Sequence, residues 1–103
     1  ASFQTAIGKI FQVSMRGFWK YTKAQGLSMP QMFTLRYLYH KGESNVTDIG
    51  RELGVTSAAA SQMLDRLVQQ DLVSRRENPH DRRNKQVTLT DRGRRIIQGS
   101  TAA

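Results

Sequence analysis

A stretch of small and hydrogen-bonding side chains between residues 56 and 70 could read the edges of DNA bases. It begins with Ser57-Ala58-Ala59-Ala60-Ser61 and continues with Gln62. A Gln amide can pair with N6 and N7 of adenine, and small neighbours let a helix approach the floor of a major groove about 12 Å wide. We therefore expect one exposed face to contact DNA: Ser57, Ala58, Ser61, Gln62 and Asp65. The alternative is a solvated face in a run whose alanines only reflect helix propensity, and Ala60 is expected in the core.

A basic cluster between residues 75 and 85 supplies a second candidate contact. Its members surround Pro79: Arg75, Arg76, Arg82, Arg83 and Lys85. A long guanidinium can enter a narrow minor groove, where the negative potential of DNA is concentrated. A solvated charged loop is the alternative, but the position beside a base-reading helix pattern favours contact with DNA. Arg66 could reach a phosphate, or it could pair with Asp65 or with a carboxylate of the basic loop.

Other kinds of chemistry have no matching pattern in the sequence. His40 and His80 lack the close ligand spacing of a zinc site, and the chain has no cysteine. No nucleophile elbow, paired carboxylate site or glycine-rich phosphate loop is present. We therefore expect no catalytic residue, no metal and no cofactor, and an enzyme has no positive support.

Length and charge narrow the class of protein further. The 103 residues suffice for one small domain, and sixteen Lys and Arg against eight Asp and Glu give a net charge of +8. That charge favours a polyanionic partner, either nucleic acid or an anionic membrane surface. No apolar run approaches the roughly 18 residues of a membrane-spanning helix, and the start does not resemble a signal peptide. We expect a cytoplasmic protein.

The base-reading stretch belongs to a predicted pair of helices. Apolar residues recur at helical spacing in both segments: Val46, Ile49 and Leu53 in the first, and Ala60, Met63, Leu64 and Leu67 in the second. Asn45 with Asp48 is typical of a helix N-terminus, and Gly54 can end the first helix in a left-handed conformation. Thr56 then begins the second helix. This pattern is that of a helix-turn-helix.

The basic cluster belongs to a predicted β-hairpin. Val73 and the alternating Val87 and Leu89 have the period of strands, and the residues between them favour turns. We call this hairpin, residues 73–90, the wing. Together with the helices it predicts a mainly α fold with a small β-hairpin, an α+β winged helix-turn-helix domain.

Three further helices are predicted outside this unit. One spans residues 3–24 and carries an apolar stripe that suits packing within the protein or across a dimer better than a membrane surface: Phe3, Ile7, Ile10, Phe11 and Phe18. The next begins with the capping spacing of Ser28 and Gln31, has Pro30 in its first turn and ends near Gly42. It is expected to bury Met32, Leu35, Leu38 and Tyr39. A last helix starts after Thr90 and carries Ile96 and Ile97.

At these residues the chain resembles the MarR family of winged-helix transcription regulators, in register over about residues 27 to 93. Six segments carry the resemblance: Leu27–Gln31, Ile49–Val55, Leu64–Leu67, Leu72–Arg75, Asn78–Arg83 and Val87–Gly93. Three positions depart from the family pattern. Asn78 stands in place of an acid, Asp71 in place of Gly and Gly50 in place of Ala. Asp71 is tolerable because Asp accepts the left-handed conformation better than most residues.

The resemblance implies a sequence-specific regulator of transcription, most often a repressor, that binds double-stranded DNA as a homodimer. Two recognition helices would enter successive major grooves of a pseudo-palindromic operator, and the wings would enter the flanking minor grooves. Asp81 would pair with one arginine of the wing tip and hold the loop in shape. We expect Arg82 to point to the groove and Arg83 to form that pair, although the two roles could be exchanged.

The resemblance also implies an organisation of the chain and an effector. Residues 1–26 would belong partly to a dimerisation region, residues 27–93 to the DNA-binding domain and residues 94–103 to the start of a truncated C-terminal helix. Small aromatic molecules are effectors in the family, and four aromatic residues could line a pocket for one: Trp19, Tyr21, Tyr37 and Tyr39. Two rival functions remain, a winged helix that binds another protein and a nonspecific nucleic-acid binder.

Overall fold

The computed structural model describes residues 15–101, except for the side chains of residues 78, 81–84 and 101. The described part contains five helices and one three-stranded antiparallel sheet, so the predicted mainly α fold with a small sheet is confirmed. The elements in chain order are α1 (residues 15–24), α2 (Met29–Lys41), β1 (Glu43–Asn45), α3 (Val46–Leu53), α4 (Ser57–Gln69), β2 (Val73–Asn78), β3 (Asp81–Leu89) and α5 (Asp91–Thr101). Residues 3–14 of the predicted first helix lie outside the described part.

The helix-turn-helix has the predicted boundaries because its end signals are local. The Asn45 side chain accepts a hydrogen bond from the Asp48 amide at 2.7 Å and caps α3. Gly54 ends this helix with φ 71° in the left-handed region. Thr56 then caps α4 by accepting from the Ala59 amide at 3.1 Å.

Helix α2 also begins and ends as predicted, but one of its side chains was misassigned. Ser28 and Gln31 form a reciprocal capping box, and Gly42 ends the helix with φ 93°. Met32, Leu35 and Leu38 are buried, as expected. The prediction that Tyr39 is buried was wrong, because its side chain is 39% exposed. Tyr39 lies in the last turn of α2, about 100° around the helix from Leu38, and its ring packs edge-on against the exposed His40.

The sheet contains a strand that the sequence pattern did not predict. Strand β3 lies in the centre, with β1 on one side and β2 on the other. Ser44 of β1 pairs with Val87, and Arg75 of β2 pairs with the same residue from the opposite side. The strand β1 has only three residues, and its Glu-Ser-Asn sequence has low β propensity.

The core lies where the helices meet the base of the sheet. Its fully buried apolar side chains come from α2, α3, α4, α5, β2, β3 and the turn before β2: Met32, Leu35, Leu38, Ile49, Leu64, Leu67, Leu72, Val73, Val87 and Ile97. Helices α1 and α5 meet at Tyr21, whose hydroxyl donates to the Ile96 carbonyl at 2.7 Å. Burial raises the pKa of the Tyr21 phenol. None of the helices in residues 15–101 is long and apolar enough to cross a membrane.

Candidate nucleic-acid interface

The outward face of α4 presents the residue types that the sequence predicted for base contact. Ser57, Ala58 and Gln62 are exposed, and Ser61 is half-buried. Asp65 and Arg66 are exposed further along the same helix. Only small side chains accompany Gln62 in the first turns, so the N-terminal half of this face can approach a groove floor closely.

The opposite face of α4 fixes the helix to the core. Ala60, Leu64 and Leu67 are fully buried, as their spacing predicted. The turn before α4 packs closely on α3 at Gly50, where a Cβ atom would lie 3.1 Å from the Val55 carbonyl oxygen. The outward face is therefore carried by a helix whose orientation is set by close apolar and backbone contacts.

A Schellman motif ends α4 and leads into the wing. The Leu72 amide donates to the Leu67 carbonyl at 2.9 Å, and the Asp71 amide donates to the Val68 carbonyl at 2.9 Å. Asp71 has φ 59°, in the left-handed region. This conformation was expected because Asp71 stands where the family pattern has glycine. The motif directs the chain from the recognition helix straight into strand β2.

Arg75, predicted as a DNA contact, lies against α4. Its Nη1 donates to the Asp65 carboxylate, and its Nη2 donates to Ser61 Oγ at 3.3 Å. The Arg75 side chain is only 18% exposed, whereas that of Asp65 is 61% exposed. The sequence left open whether Arg66 pairs with Asp65, and in this structure the partner of Asp65 is Arg75.

The remaining basic residues of the wing fall into two groups. Arg76 and Lys85 are exposed on the two strands. Asp81, Arg82 and Arg83 belong to strand β3 by their backbone, but their side chains lie outside the described part of the structure. The pairing predicted for Asp81 and the division of roles between Arg82 and Arg83 therefore stay predictions.

A groove borders the candidate contact face on the side of α2. It has a volume of about 340 Å³ and lies between the start of α2, the turn before α4 and α4 itself. Gln62 and Arg66 line it together with the capping residues Ser28 and Gln31. Gln62 and Arg66 therefore belong both to this groove and to the exposed face of α4.

A larger cavity of about 670 Å³ lies between α2 and the end of α3. Its lining combines aromatic and charged side chains: Phe33, Arg36, Tyr37, His40, Lys41, Glu52 and Leu53. Lys41 donates to the Tyr37 hydroxyl at 3.1 Å, and this hydrogen bond raises the pKa of the Lys41 ammonium. Of the four aromatic residues predicted for a pocket, Tyr37 lines this cavity, while Trp19 is exposed on α1 beside Lys23.

Both histidines lie on the surface. His40 is exposed in the last turn of α2 with its ring edge-on to Tyr39, and His80 is exposed in the turn between β2 and β3. Among the side chains that the structure describes, no group of three or more metal-binding residues comes together.

Comparison with known proteins gives a consistent family. The sequence model of the MarR family matches residues 27–85. The chain is 31% identical over 93 residues to the HTH-type transcriptional repressor MdtR of Bacillus subtilis (strain 168). The matched region is 90% of this chain and 60% of that protein. It spans about half the length of several other curated relatives that it matches.

Solved structures agree in fold. The crystal structure of the YusO protein from Bacillus subtilis superposes on this chain with a TM-score of 0.78 at 30% sequence identity. The superposed region is 98% of this chain and 72% of the YusO chain. The structure of a mutant MarR from E. coli complexed with operator DNA superposes with a TM-score of 0.74 at 26% sequence identity. The superposed region is 97% of this chain and 71% of the MarR chain.

Proposed function

Because this chain belongs to the MarR family, we propose that it is a sequence-specific regulator of transcription that binds double-stranded DNA and represses by occupying a promoter. The observation that carries this proposal is the exposed, small-residue face of α4 beside a basic hairpin. Two related proteins support it, since MdtR is named a repressor and the E. coli MarR structure contains operator DNA.

The proposed complex is a homodimer on a pseudo-palindromic operator. Two copies of α4 would enter successive major grooves about 34 Å apart, with the wings in the adjoining minor grooves. Ser57, Ala58 and Gln62 would contact bases, and Arg66 and Lys85 would contact phosphates. The net charge of +8 would supply the sequence-independent part of the affinity.

An effector and a location belong to the same proposal. The cavity between α2 and α3 has aromatic walls and positive charge from Arg36 and Lys41, which suits a small aromatic effector. Ligand binding there would change the position of the helix-turn-helix relative to the rest of the dimer. We place the protein in the cytoplasm, on the nucleoid when it binds DNA.

Selection of duplexes from a random pool at near-physiological salt tests the proposal. We expect an enriched inverted repeat, because a two-fold dimer reads two equivalent half-sites. Retention of duplexes without an enriched sequence would favour a nonspecific nucleic-acid binder, whose affinity depends on salt but not on sequence. Absence of binding to any duplex would favour a winged helix that binds another protein.

Gln62→Ala should relax the preference at one base position of each half-site at a cost of about 1–3 kcal/mol. The reason is that its amide would pair bidentately with a single base. Gln69→Ala is the matched control, since Gln69 is exposed on the last turn of the same helix, far from the N-terminal half. A uniform loss of affinity across all sequences, or the same loss in both variants, would contradict base reading by Gln62.

Arg82→Ala and Arg83→Ala together assign the roles at the wing tip. The variant that removes a phosphate contact should lower the salt slope of log K by about 0.9. If the removed guanidinium enters the minor groove, the loss should also depend on the A·T content beside the site. Replacing the arginine that pairs with Asp81 should instead weaken DNA binding without changing the salt slope of log K. If neither variant changes the DNA affinity, neither arginine contacts DNA.

A further inference from the structure

We propose that Arg75 is a positioning residue that neutralises Asp65 on the DNA-facing side of the recognition helix and orients Ser61, and that it is not itself a phosphate contact. This inference rests on the proposed function, because it assigns the role of one residue in the same interface. It differs from the expectation that Arg75, as a member of the basic cluster, contacts DNA.

The direction of the Arg75 side chain follows from the pleat of the sheet. Arg75 pairs with Val87 across the strands, and Val73 precedes it by two residues on the same strand. Both valines are fully buried, so Arg75 lies on the sheet face that packs against the helices. Arg76 lies on the other face and is exposed.

Both terminal nitrogens of Arg75 already donate a hydrogen bond within the protein. Nη1 donates to Asp65 and Nη2 donates to Ser61, while Nε is buried and has no acceptor among the described residues. Each Nη atom keeps one further N–H, but the side chain is only 18% exposed, and a phosphate that approached it would come close to the Asp65 carboxylate. The repulsion between these two negative charges disfavours a direct phosphate contact.

The position of Asp65 explains why it needs a partner. Asp65 lies one helical turn beyond Ser61 on α4 and is 61% exposed, on the face proposed to enter the groove. A free carboxylate there would repel phosphates, whereas a carboxylate paired with Arg75 adds little net charge. The same guanidinium donates to Ser61 Oγ, so the hydroxyl hydrogen of Ser61 points elsewhere and can donate to an acceptor on DNA.

The test measures binding to duplexes of a random-sequence pool, as a function of salt, for Arg75→Gln, Asp65→Asn and the double variant. Arg75→Gln should weaken binding about tenfold, because it frees a carboxylate near the phosphates. Because salt screens both this repulsion and a phosphate contact, the deciding measurement is the affinity of the double variant. Asp65→Asn in the same chain should restore the affinity to within about threefold of the original.

Two control variants separate charge from folding. Arg76→Gln removes an arginine from the other face of the same strand, and Asp65→Asn should not rescue any loss that it causes. Arg75→Lys keeps the positive charge and should bind within about threefold of the original chain even if Arg75→Gln fails to fold. The thermal unfolding midpoint of each variant shows that binding differences are not losses of folded protein.

Two results would overturn the inference. If Arg75→Gln lowers the salt slope by about 0.9 and Asp65→Asn gives no rescue, Arg75 is a direct phosphate contact. If Arg75→Gln binds like the original chain, Asp65 needs no neutralisation. A parent chain that binds no duplex would overturn the inference together with the proposed function, whereas binding without enrichment of a repeat would leave these variant comparisons decisive by themselves.

Discussion

Two of the places where the wing meets the helices are built in opposite ways. At the first, Arg75 links strand β2 to α4 through side chains alone, and its partner Asp65 is more than half exposed. At the second, the backbone of residues 71–72 meets the start of α5. We call these places the side-chain junction and the backbone junction.

The backbone junction is made of short, mutually dependent contacts. The Thr90 hydroxyl donates to the Asp71 carbonyl at 2.6 Å and accepts from the Gly93 amide at 3.1 Å, while the Thr90 amide donates to the Leu72 carbonyl at 3.1 Å. Leu72 itself is buried. Such an arrangement tolerates little change in distance, whereas an ion pair whose carboxylate is 61% exposed contributes little to folding. The comparison teaches that substitutions at the backbone junction should act on stability, and those at the side-chain junction on DNA binding.

Gly93→Ala should have the largest effect on stability. A Cβ atom at residue 93 would overlap the Leu72 carbonyl oxygen and would lie 3.1 Å from its carbon and 3.2 Å from Leu89 Cδ2. Because the obstacle is backbone, α5 must move away from the wing, and we expect a loss of about 3 kcal/mol in the free energy of unfolding. Urea unfolding measures this loss.

Gly17→Ala is the matched control for that variant. Gly17 lies in α1, and among the described residues no atom outside the neighbouring helix backbone lies within 4 Å of an added Cβ, so Ala should stabilise the protein by up to about 1 kcal/mol through helix propensity. If Gly93→Ala lowers the free energy of unfolding by less than about 1 kcal/mol, the start of α5 can shift easily. The backbone junction would then tolerate a change in distance, contrary to our expectation.

Thr90→Val should cost about 1–2 kcal/mol. Valine keeps the shape of threonine but removes the hydroxyl, so the Asp71 carbonyl and the Gly93 amide both lose their partner. Thermal and urea unfolding measure the loss. In the control Thr88→Val, the lost hydroxyl contact is to Ser74 on the exposed face of the sheet, and the change should stay within about 0.5 kcal/mol. Equal losses in the two variants would mean that the backbone junction does not depend on Thr90.

Most of the fold could be predicted because its signals lie within a few residues of one another. The caps at Ser28, Asn45 and Thr56 and the left-handed Gly54 are set by neighbouring backbone groups. Strand β1 could not be predicted in the same way. Its three polar residues become a strand only because β3 lies beside them, and β3 is some forty residues further along the chain.

The candidate site shows the same division between local and distant signals. The exposed face of α4 follows from helical spacing and was predicted correctly as an exposed surface at Ser57, Ala58 and Gln62. The position of Arg75 was missed, because the arginines were grouped by charge and not by strand alternation. Counting by two from the buried Val73 would have placed Arg75 on the inner face. Its partner Asp65 lies on another element, and only the folded chain brings the two together.

Asp71→Gly should have the smallest effect in this series and the opposite sign. Asp71 has φ 59° at the end of the Schellman motif, a conformation that costs an L residue more than glycine. Against this gain, glycine gives the unfolded chain more freedom, so we expect a net stabilisation of only about 0.5 kcal/mol. Urea unfolding at two salt concentrations measures the change.

Asp71→Asn shows which property of the aspartate matters at the backbone junction. Asparagine also accepts the left-handed conformation but carries no charge, and the carboxylate of Asp71 lies next to the negative end of the α4 dipole. If Asn gives the whole gain, and salt reduces it, the penalty is electrostatic. If only Gly gives it, independently of salt, the penalty comes from the backbone conformation. A destabilised Asp71→Gly variant would show that the side chain of Asp71 holds the junction together, and the distinction between the two junctions would then fail.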